Sequence, residues 1–223
     1  MMISFESLTK PIDFSSSNIN VLCIENKRLY RNVVNSFYNE NPEEQNMFFS
    51  EDYNPFKFKG NICFVNDFYK LSVSSSLIKK LYDELAVFCN NEIQEETSNI
   101  KSKIIEFIDL VISNFDYDFD YNLDVNLQDL FKIQNVKPAI NNVSLLSSLL
   151  DYILVINKYI APKCFLLLNL HLYFNDSEIT EFYKELSYNK INVFIIENKK
   201  DFKINMFEKV TIIDNDLCEI IEN

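Results

Sequence analysis

A single glycine, Gly60, is the feature that most restricts what this 223-residue chain can be. Phosphate-binding P-loops, dinucleotide-binding turns and the Gly-x-Ser-x-Gly nucleophile elbow all require glycines at fixed spacing. The single histidine, His171, excludes two-histidine zinc sites and leaves one position for a Ser/His/Asp triad. Because 48% of the residues are hydrophobic, the chain can still bury a substantial core. We therefore expect a globular protein without a standard nucleotide or hydrolase site.

The charge balance limits the ways in which this chain could bind nucleic acid. Its formal net charge is −12, and it contains only two arginines, Arg28 and Arg31. Since bidentate recognition of guanine depends mainly on arginine, we do not expect sequence-specific DNA recognition. Lysines gathered on one concave face could still hold phosphates without reading the bases.

Cysteine spacing and the length of the apolar runs predict where in the cell the protein is found. None of the five cysteines forms a C-x-x-C pair, and most lie within apolar runs, as buried reduced thiols do. Residues 1–14 lack the pattern of a signal peptide, and no apolar run is long enough to cross a bilayer. The sequence thus predicts a cytoplasmic protein without membrane contact.

Apolar segments at both ends of the chain predict an α/β architecture. Buried strands are expected at 18–25, 61–66, 163–169 and 191–197, because these segments are almost continuously apolar. Helical spacing of apolar residues predicts a helix over 27–38, and Asn175 with Glu178 forms a capping box for another. We expect a head domain with a mostly parallel sheet.

Helices predominate between these two regions. Apolar residues at helical spacing predict helices over 77–88 and 99–115, a short helix near 125–133, and a long apolar helix over 143–159. The predicted organisation is a discontinuous α/β head, residues 1–72 and 161–223, interrupted by a helical leg, residues 73–160.

An acidic segment after the second of these helices could bind a metal. Oxygen-bearing side chains occupy alternate positions there, and a further carboxylate lies one turn into the next helix: Asp116, Asp118, Asp120, Asn122, Asp124 and Asp129. Such hard oxygen ligands favour calcium or magnesium. The glycine and glutamate of an EF-hand are replaced by Tyr121 and Leu127, so the spacing alone favours a solvated acidic loop.

Three other groups of residues are candidates for function. His171 and Asn169 follow a predicted buried strand, at the edge where α/β proteins bind ligands. The start of the first helix could touch phosphate through Lys27, Arg28 and Arg31. The ends of the helical region could form a basic groove from Lys132, Lys137, Lys158 and Lys163. Solvated helix faces would have the same composition.

Several short motifs, spread over nearly the whole chain, resemble one known family. They are Leu8-Thr9-Lys10-Pro11-Ile12, Phe64-Val65-Asn66-Asp67-Phe68, Val125-Asn126-Leu127-Gln128-Asp129-Leu130, Phe165-Leu166-Leu167-Leu168-Asn169 and Ile213-Asp214-Asn215-Asp216-Leu217. On these residues the chain is similar to the short form of the type II-A CRISPR adaptation protein.

The resemblance implies both a fold and a function. It implies a degenerate, P-loop-like head with a helical leg, in a homotetrameric ring that binds the ends of linear double-stranded DNA during spacer acquisition. Partners would include other CRISPR adaptation proteins and the effector nuclease. Calcium would bind between leg helices, and Asp120, Asp124 and Asp129 match acidic positions of that segment. Two departures are Asn122, where an acid is common, and Asn135, where glycine is usual.

Two alternatives remain open from the sequence. The first is a degenerate α/β enzyme with a site around His171 and Asn169. The second is a purely structural oligomer without a DNA partner. The hypothesis favoured by the resemblance is that the protein is a DNA-binding ring subunit without catalytic residues.

Overall fold

The computed structural model describes residues 1–140 and 143–222. The chain divides into two compact units. The head unit consists of Met1–Ser72 and Ile140–Asn223, and the helical unit consists of Val73–Ala139.

The strands of the head unit form two sheets. They are β1 (Met2–Phe5), β2 (Ile12–Asp13), β3 (Ile19–Ile24), β4 (Met47–Glu51), β5 (Asn54–Phe56), β6 (Ile62–Val65), β7 (Cys164–Leu168), β8 (Val193–Glu197), β9 (Glu208–Ile213) and β10 (Glu219–Glu222). The small sheet has the order β2-β1-β4-β5 and is antiparallel. The large sheet has the order β10-β9-β3-β8-β7-β6 and is parallel except for the β9–β10 pair. The predicted α/β fold with a mostly parallel sheet is therefore confirmed.

The helices are α1 (Lys27–Tyr38), α2 (Ser75–Asn91), α3 (Gln94–Ile112), α4 (Leu127–Ile133), α5 (Leu145–Tyr159) and α6 (Asp176–Tyr188). Short 3-10 turns lie at Pro42–Gln45 and Leu170–Leu172. The expected capping box of α6 is present, since Asn175 accepts from the Glu178 amide while the Glu178 side chain accepts from the Asn175 amide. None of the helices in the described ranges is both long and apolar enough to span a bilayer.

Both faces of the large sheet are buried at its central strands β3, β7 and β8, as their almost continuously apolar sequences predict. One face contributes alternate residues to a cluster shared with the small sheet and α1: Leu22, Ile24, Leu166, Leu168, Phe194 and Ile196. The residues between them are buried as well, and Val21, Cys23, Phe165, Leu167 and Ile195 have no exposed surface. A sheet covered on both sides holds its strand ends in fixed positions, and the candidate sites of the head lie at those ends.

Helix α5 belongs to the head unit, although the sequence placed residues 143–159 in the helical leg. It packs against α6 and buries Leu149, Ile153 and Ile156. Its almost uncharged sequence allows this position, because a helix that is apolar on most sides needs cover on most sides. The helical unit consequently contains only α2, α3 and α4 among its described helices.

The helical unit has a thin core. Helix α2 contacts both α3 and α4, and the buried residues of these three helices are Leu77, Tyr82, Thr97 and Leu127. Helix α3 begins at Gln94, five residues before the predicted start near Asn99. The first turn therefore contains Glu95 and Glu96, whose charge suits a helix N-terminus.

Candidate functional site

The connection from β3 to α1 lies where a nucleotide-binding α/β protein would hold phosphates. It contains only Glu25 and Asn26, too few residues to wrap around a phosphate group. The Asn26 side chain also accepts hydrogen bonds from the amides of Arg28, at 3.2 Å, and Leu29, at 3.0 Å. The helix end that could hold an anion is thus capped by the chain itself.

A buried charged cluster surrounds His171, where the sequence suggested a lone histidine at a strand exit. Its Nδ1 lies 2.8 Å from Oε1 of Glu197, and its Nε2 lies 3.2 Å from Oε2 of Glu208. The Tyr183 hydroxyl donates to Glu208 at 2.9 Å. Phe202 stacks on the imidazole with a centroid distance of 3.7 Å. The His171 side chain is only 5% exposed, so this arrangement is nearly closed to solvent.

The two carboxylates keep His171 protonated at neutral pH. Burial lowers the pKa of His171, but hydrogen bonds and charge interactions with Glu197 and Glu208 outweigh this effect and raise the pKa to about 9. Burial, followed by the Glu208 charge, raises the pKa of Tyr183 well above its ordinary value. A protonated imidazole that is bonded through both nitrogens cannot accept a proton from a substrate.

Asn169 does not join this cluster. Its backbone is left-handed, with φ 51°, a conformation that asparagine tolerates better than most residues. Its side-chain oxygen accepts from the Tyr30 hydroxyl at 3.0 Å, and its amide donates to Ile196. It therefore ties α1 to the end of β8. His171 and Asn169 are sequence neighbours with separate partners.

The sequence did not identify Glu197, Glu208 or Tyr183 as partners of His171. Glu197 ends the apolar run Val193–Glu197, a position at which an acidic residue usually marks a solvated strand end. A glutamate at each end of the connection between two buried strands is the signal that would have found the pair.

The acidic segment of the helical unit is exposed. Asp116, Asp118 and Asp120 lie in the loop after α3, and Asp129 lies in the first turn of α4. Asp124 lies 3.9 Å from the Lys101 ammonium, and its amide donates to the Asn122 side chain. Tyr121 donates its hydroxyl to Asp109, which anchors the loop to α3.

Carboxylate and amide oxygens are the ligand types that calcium prefers, but here they do not converge on one coordination site. Within residues 1–140 and 143–222, no group of three or more Asp, Glu, His or Cys side chains is arranged so that it could hold a metal ion. Asp116, Asp118 and Asp120 make no hydrogen bond or ion pair with other described residues. Calcium would have to draw these carboxylates together, so the segment is at most an unassembled site.

The seven basic candidates occupy different settings. Lys27, Arg28 and Arg31 are exposed on the first turns of α1 in the head unit, and Lys132 and Lys137 are exposed in the helical unit. Lys158 lies 4.9 Å from the Tyr159 ring centroid. Lys163 forms an ion pair with Glu51 and lies over the Phe56 ring. The charge of Lys163 is therefore compensated by a neighbouring carboxylate.

An apolar stripe on α3 lies exposed in the helical unit. Ile100, Phe107 and Val111 are separated by seven and four residues, so they share one helix face. Phe107 is 65% exposed and the adjacent Leu110 is 66% exposed. We call Ile100, Phe107, Leu110 and Val111 the α3 stripe. Such a row of large exposed apolar side chains is typical of a protein–protein contact.

Comparison with known protein families assigns the chain. The model of the family described as CRISPR-associated protein (Cas_Csn2) matches residues 37–217. The chain belongs to this family. The match includes the whole helical unit and every strand from β4 to β9, and it supports a role in CRISPR adaptation for this Cas_Csn2 protein.

Two further comparisons complete this description of the Cas_Csn2 chain. No curated protein sequence matches it. Among solved structures, one similar chain is cbiO1 from Clostridium perfringens, part of the ABC transporter complex cbiONQ. The two are 11% identical, with 98% of this chain and 86% of that chain covered and a TM-score of 0.49.

Proposed function

We propose that this protein is a non-enzymatic ring subunit that binds the ends of linear double-stranded DNA without sequence preference. Four copies would form the ring, which would act in the cytoplasm with other CRISPR adaptation proteins and the effector nuclease. Membership of the Cas_Csn2 family supports the setting in CRISPR adaptation, where DNA is the material handled.

The exposed α3 stripe is the observation that supports the proposed assembly of several copies. Removing one large apolar side chain from water contributes roughly 1.5–3 kcal/mol. The four residues of the stripe therefore favour a contact that covers them, and the thin core of the helical unit leaves them without cover inside their own unit. A second copy of the chain can supply the same apolar surface in return.

The absence of catalysis is supported by the β3–α1 connection. A two-residue connection with a capped helix end offers no place for a triphosphate. The alternative enzyme, with a site around His171 and Asn169, is less well supported because both imidazole nitrogens face carboxylates and Asn169 bonds to Tyr30.

Calcium is part of this proposal as a structural ion. The exposed carboxylates of Asp116, Asp118 and Asp120 repel one another unless a cation intervenes. Binding calcium would draw the carboxylates of the loop between α3 and α4 together and so hold these two helices in place. Asp124 and Asp129 are the other carboxylates available to it, and Asn122 offers a neutral oxygen.

A gel shift with linear duplex, performed with calcium and with chelator, separates the possibilities. The proposed ring subunit shifts linear duplex of any sequence, more strongly with calcium. A structural oligomer without a DNA partner shifts none under either condition. A chelator-independent shift would contradict the calcium part of the proposal while leaving DNA binding standing.

A further inference from the structure

Two basic segments leave the large sheet at the ends of neighbouring strands. Strands β3 and β8 pair in parallel, with Cys23 opposite Glu197, so the chain leaves both at the same edge. The segment after β3 and the segment after β8 each carry three basic side chains within five residues: Lys27, Arg28 and Arg31, and Lys199, Lys200 and Lys203. Six of the 21 basic residues, including both arginines, belong to these two short segments.

Contacts tie the two segments to the same place. Tyr30 of α1 bonds to Asn169, whose amide in turn donates to Ile196 of β8. Cys23 of β3 is paired with Glu197, the last residue of β8, so the loop that follows Glu197 starts beside the end of β3. The loop after β8 therefore lies close to the end of β3, where α1 begins.

The segments that follow β3 and β8 themselves carry more basic than acidic residues, unlike the whole chain. The segments after β3, β8 and β9 carry six basic residues against four acidic ones: Glu25, Asp201, Asp214 and Asp216. Asp201 forms an ion pair with Lys199, and the Asp214 side chain accepts from the amides of Asp216 and Cys218. The exposed basic side chains of these segments would thus attract a polyanion, although Asp176 lines the same cavity as Lys203 and the chain carries a net charge of −12.

The buried cluster fixes the lysine-bearing loop. Residues 198–207 connect β8 to β9, and Glu197 and Glu208 at the two ends of this connection both bind His171. Phe202 stacks on His171, and Lys200 lies 4.7 Å from the Phe202 centroid while its ammonium donates to the Phe202 carbonyl at 2.5 Å. A chain of contacts therefore runs from the imidazole to the loop surface.

We propose that the loop 198–207 and the first turns of α1 form one surface that binds the phosphates of duplex DNA, with His171 as a positioning residue beneath it. This rests on the proposed DNA-binding function and adds Lys199, Lys200 and Lys203 to the contact surface. We expect this surface to hold phosphates rather than to read bases, since four of its six basic side chains are lysines, which act as point charges.

The first test compares two double variants with equal charge change. Lys199→Gln/Lys203→Gln removes two exposed charges from the surface, whereas Lys184→Gln/Lys190→Gln removes two exposed charges near the end of α6, before β8 begins. We expect the first pair to weaken binding of linear duplex at least tenfold and to reduce the salt slope by about two for each subunit that contacts the DNA, and the second pair to change neither. If both pairs weaken DNA binding equally, this surface is not the DNA contact and the proposal is overturned. The proposed DNA-binding function would still stand in that case, because the wild-type protein shifts linear duplex.

The second test asks whether His171 acts through the loop. His171→Gln should weaken DNA binding as Lys199→Gln/Lys203→Gln does, and combining all three changes should weaken it little further. If the loss of DNA affinity in the triple variant equals the product of the separate losses, His171 does not act through the two lysines. Its positioning role would then be overturned. Phe202→Leu serves the same test if His171→Gln fails to fold, because it leaves the buried ion pairs in place. Displacement of DNA by micromolar ATP would identify a nucleotide site and also overturn the proposal.

Discussion

Glu197 accepts twice from His171, through the backbone amide at 3.0 Å and through Nδ1 at 2.8 Å. The glutamate at the end of β8 therefore fixes both the backbone and the ring of a residue 26 positions earlier. Because Glu197 and Glu208 both face His171, we expect the stability of the head unit to depend on the protonation of this imidazole.

The first prediction concerns stability and pH. The pKa of His171 is about 9 in the folded protein against 6.5 as its ordinary value, so the folded state binds the proton more tightly. This contribution is complete below pH 6.5 and is lost as pH rises through 9, and it amounts to about 3 kcal/mol of unfolding free energy. Denaturant unfolding of wild type and His171→Gln should therefore differ more at pH 6 than at pH 9.5. A difference that is constant over this range would contradict the assignment.

The second prediction concerns nucleotides. Purified protein should not hydrolyse ATP, because the two-residue β3–α1 connection cannot surround a triphosphate. Asn26→Ala should lower the unfolding free energy by about 1 kcal/mol through loss of the helix cap without creating ATP turnover. Steady turnover that disappears in His171→Gln would instead favour the alternative enzyme.

Much of the head could be predicted from the sequence because its signals are local. Helix α1 has the predicted bounds, 27–38, since apolar spacing and the cap at Asn26 agree. Helix α3 starts earlier than predicted because Ile93 gives no side-chain cap to mark its beginning. The position of α5 depends on its contact with α6, which no local pattern encodes.

The candidate sites were less predictable than the fold. The partners of His171 are distant in sequence and meet only through the order of the large sheet. The acidic segment was visible as alternating oxygen donors, but spacing cannot show whether these donors converge. In the described residues they do not, so its calcium ligands stay a prediction.

The third prediction concerns calcium. Chelator should lower the melting temperature of the wild-type protein, because an ion that binds only the folded state at 100 times its Kd adds ~2.7 kcal/mol. Asp120→Ala/Asp124→Ala should abolish this sensitivity. The control Glu181→Ala/Glu185→Ala, on exposed positions of α6, should retain it. A wild-type melting curve that chelator leaves unchanged would support the solvated acidic loop.

The fourth prediction concerns assembly through the α3 stripe. Light scattering should give about four times the 26.4 kDa mass of one chain. Phe107→Glu should dissociate this assembly with little change in helix content, because the side chain is exposed within its own chain. Tyr188→Glu, which alters an exposed aromatic residue of α6, should leave the mass unchanged. Wild-type protein that stays monomeric at micromolar concentration would rule out the ring.

Competition between DNA forms tests the central claim most directly. Duplex can enter a closed ring only by an end, so linear fragments should displace labelled linear duplex while covalently closed circular plasmid of equal base content should not. If the closed plasmid is relaxed beforehand, cutting it once should restore competition, since the cut then changes only the availability of ends. Closed circles that compete as well as linear fragments would contradict end-dependent binding by a ring.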